Sequence, residues 1–319
     1  MLRGLFILLV FFSILYANDN QTKLLYDPSY LEYVDNITKV LKSKHNVPEK
    51  FSKSILLSLK IDNATIEKIT TPKEALIWGR YKKIFITDKR LSDAKKFLEE
   101  HRELLSEIEK EFNVDKEIIV ALVAIESNFG KYKPVHNVGD ALFTLAKGYP
   151  PRSQFFTKEL IYYILLRYLD KTYDNDTLKG SYAGAIGLPQ FMPSSILNYG
   201  IDYNNDCRMD LINDWKDVFA SIANYLKLNG WIYKDPIAKQ IKPDDINIFL
   251  PYLNKSPTFE LDKLGYLQAK NRKAIVRKFD NENDFELWLT YKNYDVIKTY
   301  NRSDNYALTA YLIYESLLQ

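Results

Sequence analysis

Cysteine occurs once in the 319 residues, at Cys207, so no disulfide can form within the chain. Histidine occurs three times, at His45, His101 and His136, and no Cys/His cluster has the spacing of a zinc site. Neither sign of charge dominates. Lys and Arg number 44 against 41 Asp and Glu, a net charge of +3, which excludes the basic domain or stripe of a dedicated nucleic-acid binder. Glycine is scarce, at 11, and no Ser/Gly/Pro-rich linker or internal repeat interrupts the chain, so one compact body is expected. What is present, 46% hydrophobic and 27% charged residues, is the composition of a globular protein. Catalysis, if any, must rest on carboxylates, hydroxyls, amides or a bound ligand.

Arg3 precedes an unbroken apolar run from Leu5 to Phe12, and the chain turns polar at Asn18-Asp19-Asn20. This reads as a secretory signal over residues 1–17, too short to prefer a spanning helix, with Ala17 as the small residue before cleavage. Left uncleaved, the same run would tether the protein to the inner membrane. No cysteine lies nearby, so a lipoprotein anchor is excluded, and a cell-envelope address follows.

The coarse pattern is α+β, predominantly helical. An N-terminal helical region is expected over residues 18–90, a helical core over 91–235, a small antiparallel β subdomain over 236–298 and a C-terminal segment over 299–319. Ser92-Asp93 is expected to cap a helix whose apolar face is Phe97, Leu104, Leu105 and Ile108. Asp115 is expected to cap the next, which runs from Lys116 toward Ser127. Further helices are expected over 154–168, 194–199, 215–228 and 306–318. Short β-branched or aromatic runs at Ile246-Asn-Ile-Phe-Leu, Lys273-Ala-Ile-Val-Arg and Phe285-Glu-Leu-Trp-Leu read as strands.

Glu126 is the most informative residue. At helical spacing its neighbours are Val123, Leu122 and Ile119, which place its carboxyl on an apolar stripe. Desolvation and the negative end of a helix dipole both favour the protonated form there, as a general acid requires. A structural Glu paired with a buried Lys or Arg fits the segment equally well. Downstream, the glycine-rich stretch from Lys179 to Ser195 lacks the context of a phosphate loop and reads as a close backbone approach to a ligand, with Ser181 and Gln190 offering a hydroxyl and an amide to a neutral sugar. An ordinary turn-rich connection is the plainer alternative. Asp140 reads as a helix cap. The loop from Asp202 to Asn213 begins like a calcium loop, with Asp202, Asn204, Asp206 and the carbonyl of Arg208 at positions 1, 3, 5 and 7. Cys207 stands where Gly permits the sharp turn and Asn213 where a bidentate Glu is expected, so a metal-free polar loop is preferred to a structural calcium.

The words Ala-Ile-Glu126-Ser-Asn-Phe-Gly, Gly139-Asp-Ala-Leu-Phe-Thr-Leu, Tyr149-Pro-Pro-Arg152, Gly-Ser181-Tyr-Ala-Gly-Ala-Ile-Gly-Leu-Pro-Gln190, Ala223-Asn-Tyr225-Leu and Tyr300-Asn-Arg-Ser-Asp-Asn-Tyr306-Ala resemble, in order and spacing, the lytic murein transglycosylase B family. The resemblance covers roughly residues 75–319. It implies a lysozyme-like core and cleavage of the β-1,4 bond between N-acetylmuramic acid and N-acetylglucosamine in peptidoglycan, without water, leaving a 1,6-anhydromuramoyl end. By the same resemblance Glu126 is the single acid/base, and Ser181 and Gln190 orient the N-acetyl group and the catalytic carboxyl. Tyr149, Tyr225, Tyr300 and Tyr306 line the cleft. Arg152 matches one arginine of a pair whose other member is Pro151 here. The family implies no required cofactor, a periplasmic location, and peptidoglycan strands as partner, with cell-wall synthesis or division proteins as candidate protein partners. A hydrolytic muramidase and a non-catalytic peptidoglycan-binding scaffold are the rival readings.

Overall fold

The computed structural model describes residues 27–70, 76–241, 246–256 and 272–319. The apolar run and the cleavage position at Ala17 lie outside the described residues. In chain order the elements begin with helices α1 (Pro28–His45), α2 (Glu49–Ser58), α3 (Asn63–Ile69), α4 (Trp78–Phe85), α5 (Asp88–Glu100), α6 (Arg102–Phe112) and α7 (Lys116–Glu126). Strand β1 (His136–Asn137), α8 (Val138–Gly148), α9 (Ser153–Leu169), β2 (Lys179–Gly180), α10 (Pro193–Tyr199) and α11 (Trp215–Leu228) follow. The chain ends with β3 (Ala238–Ile241), β4 (Ile275–Asp280), β5 (Phe285–Thr290), α12 (Lys292–Tyr300) and α13 (Asp304–Leu317). No helix among the described residues is long and apolar enough to cross a membrane.

The chain divides into two compact units, each assembled from separated segments. Among the described residues, the first comprises 27–69, 135–185 and 192–197; the second comprises 70, 76–134, 186–191, 198–241, 246–256 and 272–319. Because the segments interleave, no linker marks the division in the sequence.

In the first unit, Asp27 caps α1 by accepting the Ser29 N–H at 2.8 Å, with Pro28 in the first turn, where its missing N–H costs nothing. The core joins Tyr30, Ile37 and Leu41 of α1 to Leu56, Phe143, Phe156 and Leu160. The Tyr30 hydroxyl, too deep for water, donates to the Leu56 carbonyl at 2.7 Å. Strands β1 and β2 pair antiparallel, His136 opposite Gly180.

The second unit is built around α7. Residues 117–124 of this helix are all buried, as a helix apolar on every side demands. It packs against α5, α6, α11 and α13. Beside it, Phe97, Trp215 and Phe219 form an aromatic cluster with ring centroids 5.0 to 5.9 Å apart. The sheet is antiparallel in the order β3-β5-β4, with Arg277 of β4 opposite Trp288 of β5.

Several local expectations differ from the structure. The 92–108 stretch is two helices broken at His101, and the cap of the first is Thr87, whose hydroxyl accepts the Arg90 N–H at 3.2 Å. Ser92 and Asp93 lie inside it. Asp115 sits at the start of α7 but does not cap it: its carboxylate accepts from Trp231 Nε1 at 2.8 Å and from the Lys234 N–H at 3.3 Å. Asn137, not Asp140, caps α8, accepting the Asp140 N–H at 3.0 Å, while Asp140 Oδ1 accepts the Lys60 N–H at 2.7 Å. Residues 246–252 form 3-10 turns rather than a strand. Pro251 cannot donate to a ladder, and Phe249 is buried in a cluster with Ile241, Val276, Leu287 and Leu289 while Ile248 is exposed.

Candidate active site

Glu126 is the last residue of α7 and is half-buried. The helix stops there because Asn128, Phe129 and Gly130 take left-handed backbone angles, φ 48, 58 and 75. Ser127 secures the stop: its hydroxyl donates to the Val123 carbonyl at 3.2 Å and accepts the Gly130 N–H at 3.1 Å.

The Tyr306 hydroxyl donates to Glu126 Oε1 at 2.5 Å. Tyr306, in the first turn of α13, is 2% exposed. Burial first, and then the negative charge of Glu126, holds its hydroxyl proton far above the ordinary range of a phenol. It is therefore a permanent donor. Tyr300, at the end of α12, stacks on Tyr306 with planes 12° apart, and burial and then Glu126 push its pKa well up too. Its own hydroxyl donates to the Pro189 carbonyl at 2.6 Å. Tyr225 of α11 meets the Tyr300 ring edge-on at 4.9 Å, and Phe191 lies 5.5 Å from Tyr225.

Gln190 occupies a left-handed turn, φ 50, and its Nε2 donates to the Gly187 carbonyl at 2.7 Å. That bond fixes the amide, so its carbonyl end faces away from the turn. The second unit thus brings together Glu126, Gln190, Tyr225, Tyr300 and Tyr306. Tyr81 of α4, which the sequence pattern did not single out, also acts electrostatically on Tyr306. It sits in a basic helix, between Arg80 and Lys82, outside every motif word, and no local signal marks it.

Ser181, Tyr149 and Arg152 belong to the first unit. Ser181 Oγ accepts the N–H groups of Ala183 at 3.2 Å and Ala185 at 3.0 Å, which leaves its hydrogen to donate. Tyr149 follows the last residue of α8, and the Arg152 guanidinium covers the Phe155 ring at 4.2 Å. Two of the glycines answer to close approaches within the chain itself. A Cβ on Gly180 would lie 2.3 Å from the Ala185 carbonyl oxygen, and one on Gly187, φ +73, 2.3 Å from that of Leu211. The close approach is to the protein's own backbone.

The loop from Asp202 follows the backbone of a calcium loop, for Cys207 adopts the φ of 66 that usually calls for glycine. Its oxygens, however, serve its own turns. Asp202 accepts the Cys207 N–H at 2.9 Å, Asn204 Oδ1 the Asp206 N–H at 2.9 Å, and Asp206 the Arg208 N–H at 2.9 Å. Asn213 donates its amide to Asp210 Oδ2 at 3.0 Å where a calcium loop needs a bidentate carboxylate. The donor set is incomplete.

The transglycosylase SLT domain family matches this chain over residues 30–314. The chain belongs to that family. It is 30% identical over 238 residues to membrane-bound lytic murein transglycosylase B of Escherichia coli K12, covering 73% of this chain and 65% of that protein. The crystal structure of soluble lytic transglycosylase SltB1 from Pseudomonas aeruginosa aligns with a TM-score of 0.81 at 32% identity, over 89% of this chain and 97% of that one. The Escherichia coli lytic transglycosylase Slt35, in complex with calcium, aligns with a TM-score of 0.77 at 26% identity, over 92% and 93% of the two chains. The resemblance read from the motif words is thus borne out, as is the mainly helical, lysozyme-like fold with its small antiparallel sheet. In this SLT-family chain the Glu126 carboxylate acts electrostatically on both Tyr300 and Tyr306.

Proposed function

We propose that the chain is a lytic transglycosylase that cleaves the β-1,4 bond between N-acetylmuramic acid and N-acetylglucosamine in peptidoglycan of the bacterial envelope, leaving a 1,6-anhydromuramoyl end. The observation that carries the reading is the bond between Glu126 and a neutral, permanently protonated donor, Tyr306, at 2.5 Å. Glu126 gives its proton to the bridging oxygen as the bond from C1 to that oxygen breaks. The acetamido oxygen of the same sugar meets the positive charge at C1. The sugar's C6 hydroxyl then attacks C1, and its proton returns to Glu126. One C–O bond breaks, one forms, no water is consumed, and no second carboxylate is needed as nucleophile, unlike in most glycosidases. The Tyr306 bond strengthens as Glu126 becomes anionic, so it favours the state in which the proton has left. By the family resemblance, Ser181 as donor and Gln190 through its amide are the groups that orient the N-acetyl group, and Tyr149, Arg152, Tyr225 and Tyr300 are sugar-binding residues. No step runs through a metal, and the Asp202 loop is read as structural.

The test is mass spectrometry of soluble products from purified peptidoglycan digested by the wild type and by Glu126→Gln. Anhydromuropeptides from the wild type alone are expected, with glycan binding retained by the variant. Products heavier by one water would mean a hydrolase, and polymer binding without release a scaffold protein.

A further inference from the structure

The three-stranded sheet carries none of the motifs behind the proposed activity, yet one of its side chains reaches the start of α13, two residues before Tyr306. Arg277 of β4, its side chain 12% exposed, engages every nitrogen. Nε donates to Thr290 Oγ1 at 3.0 Å, Nη2 donates to Asp295 Oδ1 at 3.0 Å, and Nη1 lies 3.3 Å from Asp304 Oδ1. The guanidinium covers the Tyr294 ring at 5.3 Å, and the Tyr294 hydroxyl donates to the Asp304 backbone carbonyl at 2.8 Å. Lys298 of α12 brings a second cation to Asp304 Oδ1, at 2.7 Å. That oxygen is buried and takes no directed hydrogen bond, so charge alone holds it between the two cations.

Asp304 opens α13. The first N–H groups of a helix have no partner within it, so a first-turn residue depends on its cap and on ties to other elements. Here the cap is Ser303, whose hydroxyl accepts the Tyr306 N–H at 3.3 Å, and Asn305 donates to the Leu76 carbonyl at 2.8 Å on the other flank. Tyr306 has to place its hydroxyl 2.5 Å from Glu126, a bond that weakens steeply with displacement or tilt. We infer that Arg277 is a positioning residue for the reaction: from the sheet it holds the first turn of α13 in the place from which Tyr306 reaches Glu126. A lysine could make one of its contacts but not three, because only the guanidinium presents a planar fork. The inference rests on Glu126 being the acid/base.

The test uses the full chain on purified peptidoglycan, with Arg277→Met, Arg277→Lys and Asp304→Asn each made alone and combined with Tyr306→Phe. Arg277→Met is expected to lose several-fold in kcat, up to the ~10-fold of losing the bond altogether, with KM unchanged. Arg277→Lys should recover part of that loss. None should add to the loss caused by Tyr306→Phe, since all act through one bond. Equal losses in both backgrounds, or a loss confined to KM, overturn the inference while leaving the activity intact. Should Arg277→Met fail to fold, Asp304→Asn carries the same expectation and the same refutation. A wild type that releases no muropeptide defeats the proposed activity instead, and crystal structures then decide the clamp. An intact bond between Tyr306 and Glu126 in Asp304→Asn overturns it, and a broken one upholds it.

Discussion

Replacing Tyr306 with Phe removes one hydroxyl from a ring that is 2% exposed and leaves the stacking on Tyr300 in place. The lost bond runs 2.5 Å to a carboxyl group that, in the proposed mechanism, is neutral before proton transfer and charged after it. A hydrogen bond to a neutral acceptor contributes about 1 kcal/mol and one to a charged acceptor about 1.5–3 kcal/mol. Only the difference, about 0.5–2 kcal/mol, is gained on the way to the transition state and counts toward kcat. Tyr306→Phe should therefore lower kcat about tenfold and leave KM nearly unchanged. Because burial, and then the charge of Glu126, keeps the phenol protonated far above neutrality, the deficit should not vary with pH across the range in which the enzyme works. The assay is the initial rate of muropeptide release over a range of peptidoglycan concentrations and pH, with binding of the variant to the same polymer as control. An unchanged kcat, or a loss appearing only as weaker binding, would refute the reasoning.

Two further perturbations test the surroundings of the site. In Tyr294, Tyr300 and Tyr306 burial raises the folded-state pKa well above the ordinary 10, so the stability these groups contribute is fully present below pH 10 and lost as pH climbs through 10 toward the folded values. Urea unfolding between about pH 9 and pH 11 should lose up to about 4 kcal/mol per pH unit from the three together, and Tyr306→Phe should lower the observed slope by up to about 1.4 kcal/mol per pH unit; a flat profile would contradict the burial argument. Gly187→Ala places a Cβ 2.3 Å from the Leu211 carbonyl oxygen at φ +73, and that oxygen cannot retreat without releasing the Leu188 N–H it accepts at 2.8 Å. Left-handed strain and overpacking together predict a loss of about 3 kcal/mol in chemical denaturation, and a loss below about 1 kcal/mol would show that the turn is not as tight as described.

Where the apolar period was complete, the sequence foretold the element closely. The helix expected at 215–228 spans Trp215–Leu228, and the one expected from Lys116 ends at Glu126. Boundaries decided by one side chain were not legible. Thr87 outcompetes Ser92-Asp93 as a cap, and His101 breaks what reads as a single amphipathic stretch. The run at 246–250 has strand composition, but its Phe249 is drawn into the core beneath the sheet and Pro251 has no N–H to offer. At the site, Glu126, Gln190, Tyr225, Tyr300 and Tyr306 were readable as words of a family pattern. Tyr81 and Arg277 were not, since what matters about each is its relation to residues near 300, and no local period encodes that.

The four residues after Glu126 show what such a word does physically. Phe129 at φ 58 is in a conformation that asparagine and glycine tolerate and phenylalanine does not, at a cost of order 1 kcal/mol or more. Its ring is 8% exposed and lies 5.3 Å from Phe97, and burying a Phe contributes about 1.5–3 kcal/mol, enough to hold the strained backbone. Gly130 completes the reversal with no Cβ to meet Trp215, which would lie at 3.2 Å. The result is a helix that ends at its carboxylate instead of a turn beyond it. That end is the negative pole of the α7 dipole, an unfavourable place for an anion. A donor from another helix is therefore needed to make a carboxylate tolerable there, and the Tyr306 hydroxyl supplies it. If Glu126 is the acid/base, as proposed, the bond that reconciles it with the end of α7 is the same one that holds its carboxyl for proton transfer, so its loss should be felt in the rate.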